Sequence, residues 1–125
     1  MPMKKRVLCP ARLRKVPEQF SWIDQRLVRD RYICRLSHPA LALYLFLVTV
    51  ADAQGLSYYG DPALSQLLSL DAAALIRARQ ELLSAQLIAY QRPLCQILSL
   101  DAPRREQSEA VLLSDILRGI AEKKQ

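Results

Sequence analysis

Between Ser37 and Leu100 the apolar positions of this chain change period, from continuous, to helical, to alternating. Ser37-His38-Pro39 predicts a helix start, with Ser37 as the cap and Pro39 in the first turn, where a missing N–H is tolerated. From there to about Ala53 the residues are apolar on nearly every face, the pattern of a helix covered on several sides, with Gly55 as its stop. Leu56 to Tyr59 reads as a short strand closed by Gly60. Asp61-Pro62 then pairs a side-chain acceptor with a helix-opening proline, and Leu64, Leu67 and Leu68 share one face of a short helix. Ser69-Leu70 interrupts it, and Asp71 is placed to cap a second helix whose stripe is Leu75, Ala78 and Leu82. Leu87 to Tyr90, a turn at Gln91-Arg92-Pro93, and Leu94 to Leu100 predict a hairpin.

The flanks read differently. Pro2, Pro10 and Pro17 break residues 1–19 into an arm, in which single apolar residues alternate with basic ones. Phe20, Trp22, Ile23, Leu27 and Val28 predict a short helix from near Ser21, with Phe20 and Trp22 as anchors onto the core; the same aromatics can also stack on bases. Beyond Leu100, "DAPRREQSE" is a polar hinge, followed from about Ser108 to Lys123 by Leu112, Leu113, Ile116, Leu117 and Ile120 at helical spacing. An amphipathic helix of this kind covers its own domain or a second subunit.

The order of elements in "DPALSQLLSLDAAALIRARQELLSAQLIAYQRPLCQILSL", with the helix and strand before it, resembles the winged helix-turn-helix domain over residues 37–100. The resemblance implies a mainly α fold with a small β-hairpin (α+β): a basic N-terminal arm (1–19), a winged helix-turn-helix domain (20–100), and a hinge with a C-terminal amphipathic helix (101–125). In that family the second helix enters the major groove and the hairpin lies beside it. Ala72, Ala73, Ile76, Arg77 and Gln80 would then face the bases, because they lie opposite the Leu75–Ala78–Leu82 stripe. Arg77 can donate twice to guanine and Gln80 can pair with adenine, each worth roughly 1–3 kcal/mol of discrimination. Arg79 and the wing-tip Arg92 are the expected phosphate contacts. Two departures weaken direct reading. Ser69 stands where the turn commonly has glycine, and Ala72, Ala73 and Ala74 offer bases no hydrogen bonds. Asp71 reads as a structural cap.

Charge sharpens this picture. Of a net +6, residues 1–35 hold ten Lys/Arg against three acids, +7, which leaves −1 for the other 90. Residues 36–100 carry Arg77, Arg79 and Arg92 against Asp52, Asp61, Asp71 and Glu81. A near-neutral reading unit releases few counterions, so Lys4, Lys5, Arg6, Arg12, Arg14 and Lys15 of the arm are expected to supply most of the attraction to phosphate. The plain alternative is a solvated basic tail.

Other chemistries find little in the residues. The apolar run from Ala40 to Ala51 is twelve residues, short of the ~20 a membrane span needs. The basic start lacks a following apolar region of the length a secretory signal uses. Cys9, Cys34 and Cys95 form no close pair, which fits reduced thiols in a cytoplasm, and with the single His38 they lack zinc-site spacing; Cys34 and His38 are the one local pair. No glycine-rich phosphate loop and no catalytic constellation is evident, so neither an enzyme nor a cofactor or small-molecule ligand is expected. The expectation is a cytoplasmic double-stranded-DNA-binding homodimer, a transcriptional regulator of the kind carried by bacteria, replicons or mobile elements. Two readings compete with it: a winged-helix module that joins other proteins, and an RNA binder.

Overall fold

The computed structural model describes residues 4–101. Four α-helices and three strands follow one another in these residues: α1 (Arg26–Arg29), α2 (His38–Val50), β1 (Leu56–Tyr58), α3 (Asp61–Leu68), α4 (Ala72–Ser84), β2 (Ile88–Gln91) and β3 (Leu94–Ile97). Short 3-10 turns at Pro10–Arg12 and Ile33–Arg35 complete them. The expected hinge, the helix at 108–123 and the pairing it would mediate lie outside the described residues.

Each long helix starts on a local cap. Ser37 Oγ accepts from the Ala40 N–H at 3.3 Å, and Asp71 Oδ1 accepts from the Ala74 N–H at 2.7 Å, so one otherwise unsatisfied donor is met at each end. The α3–α4 turn is made by Ser69 in the left-handed region, φ 55° and ψ 42°, with its N–H donating to Ser65 O. Serine here adopts a conformation that glycine enters at no steric cost.

α2 ends three residues before the expected Ala53, and Gly55 is not its stop. Ala51 is already extended, and Asp52 Oδ1 accepts from the backbone N–H of Gln54 and of Leu56, at 2.8 and 2.9 Å. That aspartate turn directs the chain into β1. Gly55 serves the turn instead: its φ is 83°, and a Cβ there would lie 2.9 Å from the Ile97 carbonyl oxygen. The start of α3 also differs from expectation. Gly60 is the cap position, without a side-chain bond, and Asp61 is the first helical residue, its carboxylate free for another partner.

The sheet is antiparallel in the order β1-β3-β2, so the late strand β3 runs between the other two. Ser57 faces Cys95 on one side of β3, and Tyr90 faces Cys95 on the other. β3 stops at Ile97, short of Leu100, although Leu98 N still donates to Leu87 O at 3.0 Å. Under the sheet, Leu43 of α2, Leu75 and Leu82 of α4 and Leu87 before β2 are fully enclosed. Burial of each such leucine is worth roughly 1.5–3 kcal/mol relative to exposure. α2 and α4 pack directly on each other, and Leu27 docks α1 on the same core. The layout, helices followed by a small three-stranded antiparallel sheet, is consistent with a winged-helix-like arrangement.

One expectation about apolar residues does not hold. Phe20 and Trp22 do not anchor on the core: they are 64% and 74% exposed, and the short helix starts at Arg26 rather than near Ser21. The reason is local, since Asp24 caps the turn by accepting from the Arg26 N–H at 2.9 Å, which leaves only Leu27 on the inward side. α2 is covered on several sides, through Ala40, Leu43, Tyr44, Leu47 and Val48, and Leu45, 56% exposed, marks the side left open.

Candidate nucleic-acid interface

Helical geometry sorts α4 into two faces. Leu75, Ala78, Arg79 and Leu82 are buried, and Ala72, Ala73, Ile76, Arg77 and Gln80 are exposed together on the opposite side. Those five are one turn apart or adjacent along the helix, so they form one continuous strip. Its leading turn presents methyl groups only, and its single charge is Arg77.

Arg79 overturns its expected role. It is 8% exposed, with a guanidinium nitrogen 2.5 Å from Asp61 Oδ1 and the guanidinium carbon 4.3 Å from the centre of the Tyr90 ring. It therefore ties α4 to the first turn of α3 and to β2, and it is not available to a phosphate. Position explains the result: Arg79 follows Ala78 and precedes Leu82 by three residues, so it points inward, and Asp61 supplies the charge that makes burial tolerable.

Glu81 is the other partner that sequence reading missed. Its carboxylate accepts from Ser37 N at 2.8 Å and from Ser37 Oγ at 2.5 Å, which joins α4 to the start of α2. These bonds to the charged form hold its pKa below the usual carboxylate range. Neither partnership has a local signal, since the residues lie 18 and 44 positions apart.

Arg92 occupies the hairpin tip with Pro93, exposed, beyond the last strand pair Gln91–Leu94. Among the described residues neither Arg77 nor Arg92 has an ion-pair partner. The arm cations Lys4, Lys5, Arg6, Arg12, Arg14 and Lys15 are all exposed as well. No hydrogen bond or ion pair among the described residues joins residues 4–20 to α4 or the hairpin; the first to reach the body is Ser21 Oγ, donating to Thr49 O at 2.9 Å. The exposed cations expected to meet DNA thus lie on three elements: Arg77 on α4, Arg92 at the hairpin tip, and the six of the arm. Two cations of residues 1–35 are engaged internally: Arg26 pairs with both Asp24 and Asp101, and Arg35 donates to the Arg31 and Asp30 carbonyls.

The remaining titratable groups gather no other chemistry. His38 is exposed in the first turn of α2, and Cys34 is exposed before it. Among the described residues no group of three or more His, Cys, Asp or Glu is close enough to hold a metal, and no helix is long and apolar enough to cross a membrane. Cys95 is buried, and desolvation pushes its thiol pKa up, away from reactivity. No protein-family model, no curated protein and no solved structure matches this chain.

Proposed function

We propose that this protein is a winged helix-turn-helix protein that binds double-stranded DNA and acts as a transcriptional regulator. The carrying observation is the exposed strip on α4, where Arg77, without an ion-pair partner among the described residues, and Gln80 stand on the helix that follows the tight Ser69 turn. In this reading the strip enters the major groove, Arg77 and Gln80 contact base edges, and Arg92 touches phosphate beside them. With Arg79 committed to Asp61, the folded unit neutralises few phosphates, and Lys4, Lys5, Arg6, Arg12, Arg14 and Lys15 supply the rest.

Titration into random duplex DNA, duplex RNA and single strands at two salt concentrations tests the proposal. Salt-sensitive preference for duplex DNA is the expected result, and absence of binding at low salt overturns it. Replacing the six arm cations by Gln in the full chain should flatten the log–log salt slope by roughly 5, since each released contact contributes about 0.9. Arg77→Ala should leave that slope nearly intact and change sequence preference.

A second reading, a module that joins other proteins, draws on the same helix. Ile76 is 49% exposed and Leu67 of α3 60% exposed. With Arg79 turned inward, the outer surface of α3 and α4 is more apolar than its sequence suggests. Duplex-independent association through Ile76 would favour this alternative.

A further inference from the structure

The end of α2, the turn after it and the residues leaving β3 bound an open groove of about 600 Å³. Tyr44 and Val48, both buried, lie at its base; Phe20 and Trp22 line it with most of their surface open; Leu98 and Leu100 line it on the way out of the sheet. One side chain joins two residues of its lining, because Arg26 binds both Asp24, beside the aromatics in sequence, and Asp101, where the described chain ends. Two large aromatics held open beside an apolar base need an occupant more than they need solvent.

We propose that this groove seats the chain's own carboxy-terminal segment, residues 108–123, through Leu112, Leu113, Ile116, Leu117 and Ile120. Asp101, where the described chain ends, is itself a lining residue of the groove. The seven-residue link from Asp101 to Gln107 extends to about 25 Å at most, enough to turn back over the groove beside it. A tether this short holds the segment at an effective concentration of about millimolar, which a second copy at micromolar concentration does not match. The apolar positions repeat at the spacing of one helix face, and Val111, Asp115, Arg118 and Glu122 fall on the opposite face, outward when the first is seated. The homodimer expected from sequence is the competing occupant of the same surface.

Trp22 is the only tryptophan and reports on the groove directly. In the full chain, acrylamide quenching and emission are compared with Leu113→Asp/Ile116→Asp, and with Val111→Asp as the outward-face control. The seated segment predicts blue-shifted, protected emission in the parent and in Val111→Asp. It predicts red-shifted emission with severalfold stronger quenching in the double variant. The parent's protection should persist on dilution from ~50 μM to ~0.5 μM, both far below the ~mM tether concentration, with the light-scattering mass of one chain. Equal quenching of parent and double variant overturns the proposal. Protection that disappears on dilution while the mass halves also overturns it, and assigns the groove to a second copy.

Discussion

α2 and α4 are both thirteen residues long, both start on a capping side chain, and pack against each other, yet they present opposite surfaces. α2 has no Asp, Glu, Lys or Arg from His38 to Val50, and the side it leaves open still carries Leu45. α4 places its polar groups selectively: Arg77 and Gln80 face out, Arg79 faces in, and Glu81 is spent on Ser37. A helix without charges serves as the surface on which other elements are built. A helix with charges on both sides uses some for assembly and keeps the remainder for a partner, and only burial tells the two apart.

The comparison breaks most sharply in the core. Leu75→Ala or Leu82→Ala in α4 and Leu43→Ala in α2 should each cost about 2–5 kcal/mol in denaturant unfolding, whereas Leu45→Ala should stay within ~0.5 kcal/mol. Equal costs at Leu43 and Leu45 would contradict the assigned faces.

The inward arginine comes next. Arg79→Ala leaves the half-buried Asp61 unpaired and removes the cover of Tyr90, and is expected to destabilise by about 1–3 kcal/mol, less than a fully enclosed pair would. Arg77→Ala, two positions earlier, should be thermally neutral within ~0.5 kcal/mol. If the two variants melt together, Arg79 is not the structural residue of the pair.

The caps give a smaller and pH-dependent effect. Asp71→Ala should cost about 1 kcal/mol. Ser37→Ala removes a cap of similar worth and also the Oγ bond to Glu81, the larger of the two that hold its pKa below the ordinary value, while the backbone N–H bond stays. A carboxylate depressed in the fold stabilises above its unfolded pKa, near 4.5, and loses that contribution as pH falls through its folded value. Ser37→Ala should therefore flatten the acid-side loss of stability, measured by melts between neutral and strongly acid pH. The smallest effect is a gain: Ser69→Gly relieves a left-handed serine and should stabilise by up to about 1 kcal/mol.

Much of this architecture was legible in the residues themselves. Caps, turn residues and apolar periods act over three or four positions, so Ser37, Asp71, the α4 stripe and the strand pair flanking Arg92-Pro93 could be read in place. The same reach explains the shared exposure of Ala72, Ala73, Ile76, Arg77 and Gln80, which follows from their spacing opposite Leu75, Ala78 and Leu82. Sequence determined which segments are helix or strand and which way most side chains turn. Tertiary packing alone decided that Asp61 meets Arg79 and that Glu81 meets Ser37; the Asp52 turn and the Asp24 cap are local bonds that the apolar pattern concealed. The two pairings join groups 18 and 44 positions apart. A charge's partner is set by where the folded chain delivers it, and no local pattern contains that information.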